Sequence, residues 1–144
     1  RGYWNKPEQT AQALRGGWMH TGDGGYMDDD GYIYVVDRIK DIIFCGGYNV
    51  YPRIIEDAAY QHPAIKEAVA IGIPDAYRGQ SPKLFIALND DASLTADELK
   101  AFLQDRLSKI EMPKAFEFRD SLPKTLIGKL SKKELIEDEN KKLA

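Results

Sequence analysis

A lysine near the carboxyl end of the chain is the first candidate for chemistry. Lys129 follows Gly128 on a short loop that begins at Pro123 and ends just before a predicted helix. A lysine beside a helix start is usually solvated and has no specific role. The alternative is electrostatic: two anions that approach to 4 Å repel each other by about 4 kcal/mol at an effective dielectric constant near 20. A lysine between them would offset that repulsion, and the spacing alone does not choose between the two interpretations.

Upstream residues could bind a ligand, and each also has a purely structural explanation. Asp23 stands between glycines, where aspartate commonly forms turns, yet a carboxylate on a tight turn can also accept both hydroxyl groups of a ribose. Arg38 follows an apolar strand, where arginine usually makes a weak surface ion pair. Gly46 and Gly47 form either a plain β-turn or a place where a thin ligand passes close to the backbone.

The single cysteine, Cys45, is expected to be an inert packing residue. His20 and His62 show no sequence pattern that ties them to it, so a catalytic pair is not indicated. One cysteine excludes an internal disulfide and is typical of a reducing compartment. We therefore expect a cytoplasmic location, with peripheral membrane association left open for a longer parent protein.

The composition is that of a globular protein. The chain has 144 residues, of which 43% are hydrophobic and 30% charged, with a net charge of −3. This charge offers no basic surface for nucleic acid, and apolar runs such as Ala68–Ile71 are too short to cross a bilayer. The chain begins at Arg1 rather than at methionine, and we expect it to be part of a longer protein.

Residues 1–37 predict turns and short strands rather than a complete domain. We expect a helical piece near 8–14, strands at 18–21, 25–27 and 32–36, and a hairpin across the turn at Asp28–Gly31. This region is too short to enclose a core. On its own it should be disordered or associate with another copy through its exposed strands.

Residues 38–144 predict a compact α+β domain with a central β-sheet flanked by helices. We expect strands at 42–44, 64–73, 83–88 and 115–119, and a helix from Pro52 to about His62. Capping boxes at Thr95–Glu98 and Ser131–Glu134 predict two further helices. The charged tail from Glu137 is expected to fray.

Read together, these clusters resemble the carboxyl-terminal end of the adenylate-forming superfamily, and within it the acyl-CoA synthetases. The resemblance covers essentially the whole chain and is carried by five segments in the family's order: 2–8, 17–23, 37–43, 46–52 and 123–129. The segments 60–68, 73–75 and 77–79 look most like bacterial fatty-acyl-CoA ligases.

The resemblance implies a two-step acid–thiol ligase. ATP and a carboxylate would give an acyl-adenylate and pyrophosphate, and the thiol of coenzyme A would then displace AMP. In the family's pattern Lys129 would serve adenylation, Asp23 would hold the ribose hydroxyls, and Arg38 would lie beside the ribose and phosphate. Mg²⁺ would accompany ATP, and no residue of this chain is assigned as a metal ligand. The lysine matching Lys129 is a target of regulatory acetylation in the family, and acetylation would remove its charge.

The resemblance also implies a domain rotation between the two steps. Residues 1–37 would be the last strands of the large AMP-binding domain, and residues 38–144 a mobile lid. Lys40 would be the hinge. Gly46, Gly47 and Tyr48 would line the path of the pantetheine arm of coenzyme A.

Departures from the family pattern limit these expectations. The family usually has a glutamate where this chain has Ile54. The phosphate-binding loop and any acyl pocket are absent from the chain, which we therefore expect to be inactive alone. Two alternatives stay open: the lid of an adenylation enzyme that acts on another carboxylate or on a carrier protein, and a binding module that keeps the fold without the chemistry.

Overall fold

The computed structural model describes residues 2–143. The chain divides into two compact units, the first ending at Lys40 and the second beginning at Asp41. Each unit has its own β-sheets.

The first unit contains one short helix and two antiparallel strand pairs. In chain order these are α1 (Pro7–Ala13), β1 (Leu14–Arg15), β2 (Trp18–Met19), β3 (Asp23–Met27) and β4 (Ile33–Arg38). β1 pairs with β2, and β3 pairs with β4. The predicted hairpin across Asp28–Gly31 is confirmed, and the Asp28 carboxylate accepts hydrogen bonds from the N–H groups of Asp30 and Tyr32. The strand predicted at 18–21 is shorter than expected, because only Trp18 and Met19 find a partner strand.

This first unit has almost no core. None of the side chains between residues 2 and 40 is fully buried, and Trp4 is 89% exposed. Tyr26 and Tyr34 stack on the β3–β4 hairpin with ring centroids 5.0 Å apart. Local turns and cross-strand pairs therefore hold the unit together, rather than apolar burial.

The second unit is built around a five-stranded sheet. Its elements are β5 (Ile43–Cys45), β6 (Tyr48–Val50), α2 (Pro52–Tyr60), β7 (Ile65–Asp75), β8 (Gly79–Leu88), α3 (Ala96–Gln104), β9 (Ala115–Phe118) and α4 (Lys132–Leu143). β8 is the central strand: it pairs antiparallel with β7 and β5 and parallel with β9. β6 extends the sheet beyond β5.

Helices cover both faces of this sheet, which confirms the predicted α+β fold class. Alternate residues of β7 and β8 point to opposite faces. On one face Ala70 and Ile86 pack with residues of α2 and α3, including Ile55 and Leu99. On the other face, one apolar cluster joins β7 and β8 to α4 and the loop before it: Val69, Ile71, Phe85, Ala87, Leu122 and Leu135. Burying one such leucine or phenylalanine side chain contributes about 1.5–3 kcal/mol.

The helix starts follow the local signals. Pro52 occupies the first turn of α2, and the capping box of α3 is confirmed, with the Glu98 N–H donating to Thr95 Oγ1 and the Thr95 N–H donating to the Glu98 carboxylate.

The expectation that the charged tail frays from Glu137 is wrong, since α4 continues to Leu143. Charged side chains of α4 complete a cluster with β8 and β9, which consists of Lys83, Glu117, Arg119, Asp138, Glu139 and Lys142. The nearly buried Lys83 ammonium lies 2.7 Å from Glu117 and 2.9 Å from Glu139. Partial burial raises the pKa of the Glu117 carboxyl, but hydrogen bonds from Lys142, Lys83 and Arg119 outweigh it and lower that pKa to about 2. These ion pairs hold the helix end against the sheet.

Candidate functional site

Lys129 lies on a small hairpin, residues 123–131, which we call the lysine hairpin. Lys124 and Leu130 form an antiparallel bridge at its base. The Thr125 N–H donates to the Lys129 carbonyl oxygen (2.7 Å), and the Gly128 N–H donates to the Thr125 carbonyl oxygen (2.8 Å). The Lys129 N–H in turn donates to Thr125 Oγ1 at 3.2 Å. Gly128 has φ +80°, a conformation that glycine adopts without strain. The backbone on both sides of Lys129 is thus defined by the hairpin itself.

The tip of the lysine hairpin projects into solvent. Leu126 is fully exposed and Ile127 is 78% exposed. Within the described part of the chain, the Lys129 side chain is exposed and makes no ion pair or hydrogen bond. An unpaired ammonium group on a projecting loop is accessible to a ligand.

The two neighbouring lysines behave differently. Lys124 forms an ion pair with Glu67 of β7, and Lys132 Nζ lies 2.9 Å from Glu56 Oε1 of α2. Lys124, inside the lysine hairpin, and Lys132, the residue just after it, attach its two ends to the rest of the second unit.

Asp23 and Arg38 come together in the first unit. They are directly opposite each other at the end of the β3–β4 pair, with Arg38 Nε 3.7 Å from Asp23 Oδ1. The Asp23 N–H donates to Thr21 Oγ1 at 3.2 Å. Beside them is an open cavity of about 520 Å³ whose lining includes His20, Thr21, Gly22 and Asp23. Its polar lining and the paired carboxylate could accept the hydroxyl groups of a sugar.

Lys40 lies at the junction of the two compact units. It is the middle residue of a single 3₁₀ turn, Ile39–Asp41, and it is the last residue of the first unit. Its side chain is exposed.

Gly46 and Gly47 form the tight turn between β5 and β6, and residues 45–48 are called the glycine turn. Their φ values are +58° and +85°, the pattern of the two-residue hairpin turns that require positive φ at both central positions. Added Cβ atoms would meet no heavy atom within 4 Å, so backbone conformation rather than crowding explains both glycines. Cys45 is fully buried, as predicted for a packing residue, and its partner across the turn, Tyr48, is largely exposed.

The sequence reasoning missed Asp75, which supports the glycine turn. Its side chain is only 7% exposed and binds Lys114 Nζ at 2.8 Å. It also accepts hydrogen bonds from the Ser81 hydroxyl and from the N–H groups of Tyr77 and Arg78. These hydrogen bonds, that of Lys114 first, hold the pKa of the Asp75 carboxyl well below its usual range. The Arg78 carbonyl then accepts the Gly46 N–H at 2.8 Å. The sequence held one local signal for this role, an aspartate two residues before a turn. The Lys114 contact could not be foreseen, because Lys114 is 39 residues away in the chain.

A family model and similar proteins place this chain in the same family. The family described as AMP-binding enzyme C-terminal domain matches residues 54–129. The chain is 53% identical over 139 residues to the long-chain-fatty-acid–CoA ligase of Bacillus subtilis (strain 168), a match that covers 96% of this chain and 25% of that relative.

Solved structures of similar proteins have the same fold. The o-succinylbenzoate CoA synthetase (MenE) of Bacillus subtilis, in complex with the acyl-adenylate intermediate OSB-AMP, matches with a TM-score of 0.88 and 35% identity over 94% of this chain and 28% of that chain. ATP-bound MatB of Rhodopseudomonas palustris matches with a TM-score of 0.87 and 34% identity over 96% of this chain and 28% of that chain.

The chain spans about a quarter of the length of the curated relatives it matches. Among residues 2–143, no helix is both long enough and apolar enough to cross a lipid bilayer.

Proposed function

The chain belongs to the AMP-binding enzyme C-terminal domain family, and from that membership we propose that it works as part of an AMP-forming acyl-CoA ligase for fatty acids. The membership confirms the resemblance to the adenylate-forming superfamily. Residues 38–144 would be the mobile lid, and residues 1–37 the last strands of the large domain. The 53% identity to a long-chain-fatty-acid–CoA ligase supports a fatty acid as the substrate.

The observation that carries the proposal is the free ammonium group of Lys129 on an exposed hairpin whose neighbouring lysines are both in ion pairs. In the first half-reaction a carboxylate oxygen attacks the α-phosphorus of ATP, and the bond to pyrophosphate breaks. Two anionic groups must meet for this to happen, at a cost of about 4 kcal/mol at 4 Å. The Lys129 charge would lower that cost and stabilise the charge that develops in the transition state.

The first unit would supply the nucleotide contacts. Asp23, with its backbone held by Thr21 and its carboxylate beside the cavity, would accept the two ribose hydroxyls of ATP and of the acyl-adenylate. Arg38 would stay near the ribose and the phosphate. The spacing of 3.7 Å between the two charged groups leaves the Asp23 oxygens able to accept further hydrogen bonds.

The second half-reaction would use the glycine turn. The coenzyme A thiolate attacks the acyl carbonyl carbon, and AMP leaves with the electrons of the broken C–O bond. Gly46 and Gly47 would let the pantetheine arm pass close to the backbone, with Tyr48 beside it. Rotation about Lys40, at the boundary of the two units, would remove the lysine hairpin from the reacting groups after the first half-reaction and bring the glycine turn to them for the second.

Mg²⁺ would enter with ATP. Among residues 2–143 there is no group of three or more histidine, cysteine, aspartate or glutamate side chains that could hold a metal ion. We therefore assign no metal ligand to this chain and no step to the ion.

A different carboxylate is the second candidate substrate. The match to o-succinylbenzoate CoA synthetase covers 94% of this chain, against 96% for the match to the fatty-acid ligase. The residues that would distinguish the two acids belong to an acyl pocket, which we expect in the remainder of the parent enzyme. A cytoplasmic location and self-association through residues 1–37 also stay predictions.

The test is pyrophosphate release from ATP by the full-length enzyme, screened over fatty and aromatic acids. Long-chain fatty acids should give the highest kcat/KM, and Lys129→Ala should lower it at least 100-fold, the size of effect seen when one charge-stabilising group is removed. Thioester formation from a supplied acyl-adenylate should be unchanged. Lys133→Ala is the control, because Lys133 has only an exposed ion pair 3.7 Å from Glu137.

Equal loss of both half-reactions in Lys129→Ala would contradict the proposed role. The 144-residue chain alone should release no pyrophosphate. Release by the chain alone would show that the phosphate-binding loop is not needed.

A further inference from the structure

We infer that Glu67 and Glu56 are positioning residues for the lysine hairpin. They hold the lysines on either side of Lys129, which has no ion pair of its own in the described part of the chain. This inference rests on the proposed function of Lys129 in adenylation. The two carboxylates lie outside the lysine hairpin, on β7 and α2.

Glu67 holds the start of the lysine hairpin through Lys124 and through Leu122, the residue just before the hairpin. Its side chain is 13% exposed and forms an ion pair with Lys124. It also accepts a hydrogen bond from the N–H of Leu122 at 3.3 Å, and the Leu122 side chain is buried in the apolar cluster under α4. The hydrogen bond from Lys124, followed by that from Leu122, lowers the pKa of the Glu67 carboxyl. Glu67 is therefore a charged anchor at neutral pH.

Glu56 holds the other end of the hairpin. Its Oε1 accepts the Ala70 N–H at 3.0 Å and lies 2.9 Å from Lys132 Nζ. Lys132 is the first residue of α4, three positions after Lys129. Because Ala70 belongs to β7, this carboxylate connects α2, the sheet and the start of α4.

Lys129 differs from Lys124 and Lys132 in having no carboxylate partner among the described residues. An unpaired carboxylate within reach of a lysine side chain forms an ion pair with it, and the paired lysine then has less charge to offer an anionic ligand. Lys124 and Lys132 already neutralise Glu67 and Glu56. The arrangement thus separates three nearby lysines into two that position the hairpin and one that is free to act.

The first experiment compares the two half-reactions in the full-length enzyme. Glu67→Gln keeps the shape of the side chain but removes its charge, so kcat for pyrophosphate release should fall about 10- to 100-fold, as expected when a reacting group is misplaced by about 1 Å. Thioester formation from a supplied acyl-adenylate should stay unchanged. The double variant Glu67→Lys with Lys124→Glu restores the ion pair in reverse. It should recover only part of the lost rate, because the introduced ammonium group cannot accept the Leu122 N–H.

The matched control is Glu137→Gln, which removes an exposed carboxylate paired with Lys133 at 3.7 Å and should change neither step. Equal loss in both steps, or full pyrophosphate release by Glu67→Gln, would overturn the inference. Lys129→Ala in the same assay distinguishes a failure of the proposed function from a failure of the positioning role. If that variant keeps its adenylation rate, the proposed function fails; if it loses the rate and Glu67→Gln does not, only the positioning role fails.

A second measurement does not depend on activity. In the 144-residue chain, Glu67→Gln should speed amide hydrogen exchange at Thr125, Gly128 and Lys129 about tenfold or more, since these amides lose protection when the hairpin detaches. Glu137→Gln should leave them unchanged. Unaltered amide hydrogen exchange in Glu67→Gln would also overturn the inference, even if the double variant Glu67→Lys with Lys124→Glu failed to fold.

Discussion

The lysine hairpin and the glycine turn are both short β-hairpins of the second unit, but they are held in different ways. Side-chain ion pairs from Glu67 and Glu56 attach the ends of the lysine hairpin, and its tip is exposed. The glycine turn is held through its backbone: the Gly46 N–H donates to the carbonyl of Arg78, in a turn that Asp75 organises.

The difference corresponds to what each loop would present to a ligand. In the lysine hairpin the proposed ligand contact is a side chain, that of Lys129. Its ammonium group must therefore stay unpaired while its backbone is held. In the glycine turn the backbone itself is the proposed surface. Gly46 and Gly47 have no side chains to cover that backbone. The hydrogen bond from Gly46 to Arg78 holds the turn in place, and Asp75 in turn binds the Arg78 N–H.

The largest effect should come from the hinge between the two units. Lys40→Pro disfavours the local conformation of Ile39 and should prevent the rotation that brings the glycine turn into use. We expect thioester formation to fall at least 100-fold while pyrophosphate release is retained. Separate assays of the two half-reactions check this, and a normal second step would contradict the hinge assignment. Lys40→Ala is the control for loss of the side chain alone.

Acid should loosen the side of the second unit that carries the lysine hairpin. The folded-state pKa of Glu117 is about 2, against an ordinary value of 4.5. Its stabilising contribution is therefore complete above about pH 4.5 and is lost as the pH falls toward 2, amounting to about 2 kcal/mol by pH 3. Urea unfolding of the chain at pH 7 and pH 3 measures this loss.

In Glu117→Gln the same acid-induced loss should be smaller by about 2 kcal/mol. Hydrogen exchange should also show α4 opening in acid before β5 and β6 do. An unchanged pH dependence in the variant would mean that the charged cluster does not hold α4.

The smallest effect should come from matched glycine substitutions in the two loops. Gly47→Ala and Gly128→Ala place a Cβ at φ +85° and +80°, in open space, so each should cost about 1 kcal/mol of stability. Their functional effects should differ: Gly128→Ala should slow pyrophosphate release, and Gly47→Ala should slow thioester formation, each about fivefold. If both variants slow the same step, the two loops do not divide the reaction between them.

Local signals explain most of what could be predicted. The turn at Asp28–Gly31, the proline at the start of α2 and the capping box of α3 each depend on residues within four positions of one another, and all are present in the structure. The strands predicted at 64–73 and 83–88 likewise correspond to β7 and β8. The boundary predicted after residue 37 remains a prediction, although the first compact unit ends nearby, at Lys40.

The errors and omissions share one physical cause. The charged tail looked unstable because, in sequence, its carboxylates and lysines have only one another. In the fold they meet Lys83 of β8, Glu117 of β9 and Arg119, the residue after β9. Asp75 was missed for the same reason, since its strongest partner, Lys114, is 39 residues away.

The sequence by itself determined the residue types at the candidate positions, the local turns and helix starts, and the family to which the chain belongs. These depend on short-range conformational preferences and on motif order. Only the tertiary structure decided which lysines are paired and which is free. Lys124, Lys129 and Lys132 are the same residue type and lie within a segment of nine residues. Glu67 and Glu56 distinguish them, because those carboxylates reach the hairpin only after β7 and α2 have packed together.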